Sequence, residues 1–592
     1  MGSFIRAAAG KEPCDTVFIN ARVFCPFTGE WEDNASFGVK DGCVAGFGKY
    51  SAEHTIDLRG KRVIPGLIDA HVHIESSLLT PVEYARAVIP HGTTTVFADP
   101  HEIANVAGTA GLRYMLRQRS EIPLDIMLML PSCVPATPLD RGGAVLSCRD
   151  LAAFAGEEGV AGIGEVMNVP GVLAEDADLV CKIGLSPIVD GHAPLLSGES
   201  LCAYIAAGIQ SEHECTGAAE AAEKLRRGMY IMLREGSTEK NLGALAAVVT
   251  PATAPRCSFA TDDRHADMLA EDGHIDDCIR RAVAAGIEPE TAYRMATLSA
   301  AERFGLNDRG VLSPGRRADF CVLDDTGPCT VTDTYILGVR WTDPGYKRPD
   351  VLHVPFSCAP LTEESITIHG SGMARVVGLV PGQILTHALS AEVDGAALPD
   401  PSRDLLKLVV CDRYRSAGCG VGIVKGFGIR DGGIAASVAH DSHNLIVVGS
   451  DDASIIRAAE MVIAADGGMA AVSGDTSAFL PLECGGLMSS LPYDEVAASL
   501  RSLEACIRTT GCIKNPFMYL SFCALTVIPE IRVTERGVLM WAPLPMCRSF
   551  LPENNVFWSS RDCLRCYSEQ GRGEPPPCSP PPICDVSYWG GT

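Results

Sequence analysis

At 592 residues the chain exceeds what one hydrophobic core organises, so two or three domains are expected. Hydrophobic residues make up 47% and charged residues 21%, the balance of a globular, enzyme-sized protein without extended disorder. The formal charge of 49 minus 73, or −24, with no Lys/Arg-rich run, speaks against nucleic acid as a partner; no stretch approaches the roughly 18 apolar residues of a membrane span, and "MGSFIRAAAGKEPCD" lacks a signal-peptide core, so a cytoplasmic protein is expected.

In chain order, "TVFINARVFCPFTGEWEDNASFGVKDGCVAGFG" alternates β-rich runs with Gly/Asp turns, and residues 1–62 read as half of a small β domain. From Arg62 eight short apolar or β-branched runs follow: "RVIPGLIDAHVH", "TTTVFADPHE", "LDIMLMLPS", "VAGIGEVMN", "SPIVDGHA", "AGIQSEHE", "MYIMLREGS" and "RCSFATDD". Helix-like segments separate them, which predicts an α/β fold with a (β/α)₈ TIM barrel over 63–305. "GVLSPGRRADFCVLDD" returns to the β pattern, so 306–365 completes the small domain from the other flank. Residues 366–540 carry their own apolar runs and helical stretches and predict a separate α+β domain. The Pro/Gly/Ser-rich segment 541–592 reads as a poorly ordered tail; its Cys563-x-x-Cys566 pair lacks the second close pair of a zinc site. The 24 cysteines are scattered singly, and most are expected to be reduced core residues.

A barrel of this kind places its chemistry at the C-terminal ends of the strands. There the runs close in His71 and His73; Asp99, His101 and Glu102; Glu165; His192; His213; and Asp262 and Asp263, so five of the 14 histidines stand at barrel strand ends. Imidazoles and carboxylates converging on one mouth need a cation. Five or six such ligands exceed the needs of one catalytic ion, so two divalent ions fit better, with Glu165 able to bridge them. The donor set suits Mn²⁺, Fe²⁺ or Zn²⁺. Asp99, His101, Glu102 and Asp263 either orient these ligands or form a further metal site. Arg234 and Glu235 close run seven, and position substrate or pair with each other at the rim. His440 and His443, with the Asp between them in "VAHDSHN", follow an apolar run of the C-terminal domain and either reach the barrel mouth as a lid, hold another ion, or support a turn.

The segments "PGLIDAHVHIESSLLTP", "HGTTTVFADPHEIANVAG", "GEVMNVPGV", "DGHAPLLSG", "SEHECT", "TDDRH" and "MATLSAAERFGL", with "GIVKGFGIRDGGIAASVAHDSHNLIVVGSDD" and "NPFMYLSFCALTVIPE" further on, resemble the adenine deaminases of bacterial type within the amidohydrolase superfamily. The resemblance covers roughly residues 15 to 538. It implies hydrolysis of adenine to hypoxanthine and ammonia at a binuclear Mn- or Fe-dependent site formed by His71, His73, Glu165, His192, His213 and Asp262, in a homodimer. It also implies that Glu165 protonates the ring nitrogen and that Asp262 carries a proton from the attacking water to the departing amine. Asp263 is the alternative shuttle, because adjacent strand residues face opposite ways. Two features depart from the family: the tail, and Tyr414, which stands where relatives tend to have a histidine. The competing readings are an amidohydrolase acting on a cyclic amide, and a non-catalytic scaffold of the same fold.

Overall fold

The computed structural model describes residues 2–540 apart from 138, 509, 510 and 529, so the tail and its Cys563/Cys566 pair lie outside the described residues. The small domain begins with β1 (Cys14–Cys25), β2 (Glu30–Lys40), β3 (Cys43–Phe47), β4 (Ala52–Asp57) and β5 (Arg62–Pro65). The barrel strands are β6 (Leu67–Val72), β7 (Thr93–Ala98), β8 (Asp125–Leu130), β9 (Val160–Val166), β10 (Val189–Gly191), β11 (Ser211–Glu212), β12 (Tyr230–Arg234) and β13 (Cys257–Ala260). The chain returns through β14 (Phe320–Leu323), β15 (Val331–Ile336) and β16 (Val339–Arg340).

All eight barrel runs form strands. Those such as β7, "TTTVFA", are buried on both faces and so show no apolar/polar alternation. They hydrogen-bond in parallel in the orders β10-β9-β8-β7-β6 and β11-β12-β13. The ring closes where Asp262 N donates to His71 O (3.1 Å) and His73 N donates to Asp262 O (3.2 Å), and again where Gln210 N donates to Val189 O (3.1 Å). Phe304, from the helical segment after β13, stacks on Phe97 at 3.5 Å between ring centroids and plugs the floor with Ile68, Met129 and Met232.

Two expected boundaries move. β5 pairs with β1 (Val23↔Val63) and with β14 (Cys321↔Ile64), so the small sheet claims Arg62–Pro65 and the barrel starts at Leu67. Gly66 makes that transfer possible, since a Cβ there would lie 2.3 Å from the Thr94 hydroxyl. The return segment leaves the small sheet after Arg340. Phe356, Cys358 and Leu361 pack on the C-terminal domain instead, because their apolar side chains find its core within reach.

That domain is built on β17 (Ser371–Leu379), β18 (Thr386–Asp394), β19 (Leu406–Cys411), β20 (Cys419–Lys425), β21 (Gly433–Ala436), β22 (Leu445–Gly449), β23 (Gly468–Ser473) and β24 (Thr476–Pro481), in the order β18-β17-β20-β19-β22-β21-β23-β24. A hairpin of β25 (Ile531–Thr534) and β26 (Gly537–Met540) follows. Helix Asp452–Ala464 covers one face of the large sheet. On the other face Leu500, Leu503, Phe517 and Leu520 share one core with Leu78, Leu79, Tyr84 and Leu269 of the barrel. The domain has its own sheet, and its core is continuous with the barrel's. Cys148 and Cys181 form a disulfide between helices Cys148–Ala152 and Ala177–Ile183; every other described cysteine is free. Among the described residues no helix is long and apolar enough to cross a membrane.

The first and last βα units are also tied by Asp276. It faces His91 (3.2 Å) and accepts from Arg280 (2.7 Å) and from His274 N (2.7 Å). Burial raises its carboxyl, but His91 and Arg280 outweigh that and hold it down to about 2. Because this lies below the unfolded value of about 3.9, the stabilisation is complete above pH 4 and is lost as pH falls toward 2. Asp276→Asn should therefore cost about 2 kcal/mol at pH 7 and progressively less below pH 4; denaturant midpoints of both proteins at pH 7 and pH 3 check this, and a gap that does not narrow contradicts it.

Candidate active site

β6 delivers His71 and His73 on one face, because side chains two apart on a strand point the same way. Their tautomers are set from behind. His71 Nδ1 lies 2.9 Å from Asp190 Oδ2, and burial is outweighed by His71 in holding that carboxyl down to about 2, so the carboxylate accepts and the ring nitrogen donates. His73 Nδ1 lies 2.9 Å from the Asp99 carbonyl oxygen, which can only accept. Each neutral ring is thus left with its lone pair on Nε2, and the two Nε2 atoms face each other at 3.1 Å. Lone pairs do not sit so close without a cation between or beside them.

Glu165 closes β9 with its backbone N–H on Asp99 Oδ2 (2.9 Å), and its two oxygens face different partners. Oε1 is 3.3 Å from His73 Nε2 and 3.4 Å from His101 Nδ1. Oε2 is 2.7 Å from His192 Nδ1 and 3.2 Å from His213 Nε2. Asp262 adopts φ 53° just past β13, a left-handed conformation costing on the order of 1 kcal/mol outside glycine. That turn sets Oδ1 3.1 Å from His73 Nε2 and 3.7 Å from His71 Nε2, and Oδ2 2.5 Å from an Arg234 guanidinium nitrogen. Arg234 also grips Glu214 with both arms of its fork. His71, His73, Glu165, His192, His213 and Asp262 thus lie together, all buried.

The set fits divalent cations by its donor chemistry. His192 Nε2 and both ring nitrogens of His213 are buried without a hydrogen-bond partner. Burial opposes charge on His73, yet Asp262 and Glu165 raise it well above the usual value; burial is likewise outweighed by Glu165 at His213, which is pushed up to about 10. Burial would raise Glu165 and Asp262, but His192 and Arg234, with the other imidazoles, hold both well below the carboxylate range. The cluster demands positive charge, and metal ions supply it in place of protons.

The remaining expected residues separate into three groups. Asp99, His101 and Asp263 are next to the cluster: Asp99 holds Glu165 from behind, His101 stands beside Glu165, and Asp263 contacts the Ser76 hydroxyl. Glu102, His440 and His443 form a clasp between helix His101–Ala107 and the β21–β22 loop. Glu102 also contacts Ser76, and His443 Nε2 lies 3.8 Å from it. His443 Nδ1 accepts the Ala439 N–H (3.4 Å), while its Nε2 and Glu102 Oε2 are buried without hydrogen-bond partners, and Glu102, His440 and His443 lie close enough together to hold an ion. Glu235 is the outlier. It follows Arg234 and therefore points the other way, toward Arg281 (3.5 Å) and Lys240 (3.9 Å), so it neither faces the cavity nor pairs with Arg234. Tyr414 does not line the cavity either: its hydroxyl donates to the carbonyls of Ser442 (2.7 Å) and His443 (3.4 Å) and braces that loop.

Two residues were missed by sequence reasoning. Asp190 stands two before His192 in "VDGHA", the same face of one strand, and that spacing was the available signal. Glu214 directly follows His213, and no local spacing distinguishes it from a solvated acid; the Asp of "HDSHN", Asp441, does reach the cavity with His440.

Above the cluster lies a cavity. The barrel lines it with His73, His101, Glu165, Met167, His192, Glu214, Arg234, Asp262 and Asp263, and the C-terminal domain roofs it with Ile384, His440, Asp441, Phe522, Leu525 and Val527. One wall is anionic and metal-binding in character; the other is largely apolar.

Residues 62–340 match the amidohydrolase family, and residues 383–541 match the adenine deaminase C-terminal domain. An adenine deaminase of Methanoculleus marisnigri is 62% identical over 502 residues, 85% of this chain and 97% of the relative. One from Methanoregula boonei is 56% identical over 540 residues, 90% and 96% respectively. One from Desulfatibacillum aliphaticivorans is 44% identical over 554 residues, 90% and 97%.

Asp190→Asn should weaken metal retention about 10- to 100-fold, because the amide no longer enforces the His71 tautomer. Competition with a chromogenic chelator measures this; unaltered retention would mean that the Asp190 contact does not orient the ligand.

Proposed function

The chain belongs to the adenine deaminase family of amidohydrolases, and from that premise we infer how its residues hydrolyse adenine to hypoxanthine and ammonia. The observation that carries the reading is the two-sided cavity, with a carboxylate–imidazole wall against an apolar roof from the adenine deaminase domain. Such walls match the two characters of an aromatic base, the carboxylates its reacting edge and the apolar side chains its ring face.

The enzyme is metal-dependent, as its family is. We assign the ligands as His71, His73, Glu165, His192, His213 and Asp262, holding two divalent ions. Mn²⁺ or Fe²⁺ suits this nitrogen/oxygen donor set, and Zn²⁺ is compatible with it. When bound, the ions lower the pKa of a water molecule so that hydroxide is available near neutral pH. The remaining chemistry falls to side chains. Water adds its oxygen to the purine carbon that bears the amino group, and the C–N bond to that group breaks. Glu165, ionised at rest, takes one proton of that water and delivers it to the adjacent ring nitrogen, which relieves the negative charge developing there, and the second proton of the water goes by way of Asp262. Asp262 takes a proton from the attacking water and passes it to the amine, which departs as ammonia. Arg234, clamped between Glu214 and Asp262, keeps the Asp262 carboxylate ionised and aimed. A homodimer and a cytoplasmic location complete the proposal.

Metal-loaded protein should release ammonia from adenine and not open the ring of dihydroorotate, and a chelator should abolish the release. Ring opening of a cyclic amide without ammonia would move the assignment to another amidohydrolase. Glu165→Gln should lower turnover by about 10²- to 10⁴-fold and also reduce bound metal. Retention of both ions with turnover lost would restrict Glu165 to proton transfer, and unchanged turnover would remove it from the mechanism.

A further inference from the structure

Asp441 has no part in the chemistry above, yet it belongs to the cavity wall. It sits on the loop between β21 and β22, so the C-terminal domain supplies it, and it is 3% exposed. Its Oδ1 lies 3.4 Å from His101 Nε2 and 3.9 Å from His440 Nδ1, while Oδ2 is buried with no hydrogen-bond partner. Phe522 stacks on His440 with ring centroids 5.1 Å apart, and Leu525 lines the same roof, so little around the free oxygen can donate. A buried, unpaired carboxylate oxygen is costly unless a ligand brings it a proton donor.

The position of Asp441 relative to the reacting groups narrows what that donor is. His101 stands between the two carboxylates, its Nδ1 3.4 Å from Glu165 and its Nε2 3.4 Å from Asp441. Glu165 and Asp441 line the same cavity on either side of His101, so a purine with its amidine end at Glu165 turns its five-membered ring toward Asp441. A purine with an exocyclic amine has only two kinds of N–H donor. The amine leaves at the carbon served by Glu165 and Asp262, and the other donor is the N–H of the five-membered ring. A carboxylate only accepts, so it matches that N–H and no other edge atom at that end.

Resting on the adenine reading, we propose that Asp441 accepts the five-membered-ring N–H of the bound base and so selects free purine bases over N9-substituted ones. A base substituted at N9 brings carbon where the hydrogen stood and leaves the carboxylate buried and unpaired. Sites built to hydrogen-bond a substrate N–H reject analogues lacking it by large factors. The C-terminal domain would then read the substrate as well as cover it.

The test uses the full-length, Mn-loaded enzyme with adenine and with 9-methyladenine, in the wild type, Asp441→Asn and Asp441→Ser. The wild type should favour adenine in kcat/KM by about 10³-fold or more. In both variants KM for adenine should rise about 10- to 100-fold with kcat within a few-fold, the preference over 9-methyladenine should shrink, and metal content should be unchanged. An unchanged KM, or a fall in kcat at constant KM, overturns the proposal, the second by making Asp441 part of a proton path. If neither variant folds, the wild type decides alone: comparable kcat/KM for the two bases overturns the proposal, and strong preference for adenine supports it. Wild-type protein that releases no ammonia from adenine refutes the parent reading, an outcome distinct from all of these.

Discussion

Two imidazole nitrogens facing each other at 3.1 Å set the terms for everything else in the barrel mouth. Asp190 holds the proton of His71 on Nδ1, and the Asp99 carbonyl holds that of His73 on Nδ1, so both lone pairs point into the same small volume. Glu165 and Asp262 add carboxylate oxygens within 3.1 to 3.7 Å of those nitrogens. Without cations the cluster must take up protons, and the elevated pKa values of His73 and His213 express that demand. With cations, the same pre-set lone pairs become ligands that need no reorientation.

Much of the surrounding structure maintains this arrangement. Asp69 receives the backbone N–H groups of His71 and Thr261, each at 3.2 Å, and faces His274 at 3.0 Å, so one buried carboxylate aligns the strand that carries the two histidines with the strand that leads to Asp262. The left-handed turn at Asp262 is tolerated because hydrogen bonds to His71 and from His73 pin it on both sides. The C-terminal domain then closes the cavity. Its apolar core is continuous with the barrel's, and its β21–β22 loop is fastened by the Tyr414 hydroxyl. The same elements that roof the cavity place Asp441 in its wall, which joins closure to recognition.

The barrel was legible because strands buried on both faces read as continuous apolar runs, and because the strand-end rule turns eight run endings into one list of neighbours. His71, His73, Glu165, His192, His213 and Asp262 come together for that reason. Features that depend on side-chain direction beyond the strand ends were less legible. Glu235 could have been excluded by alternation, since it follows the inward-facing Arg234. Asp190 could have been included by the same rule, being two residues from His192. The boundary at Arg62 depends on pairing between segments more than 250 residues apart, such as Ile64 with Cys321, and the one at Arg340 on packing against the C-terminal domain, neither of which a local pattern encodes. Roles within the C-terminal domain were the least legible, because a histidine or aspartate in a loop carries no periodic signal of what lies across from it.

The measurement that bears most directly on this account is a calorimetric titration of metal-free protein with Mn²⁺. The two-sided placement of Glu165, with His73 at one oxygen and His192 and His213 at the other, predicts saturation at two ions per chain, with protons released as the imidazoles give them up. Saturation at one ion, or binding without proton release, would contradict it.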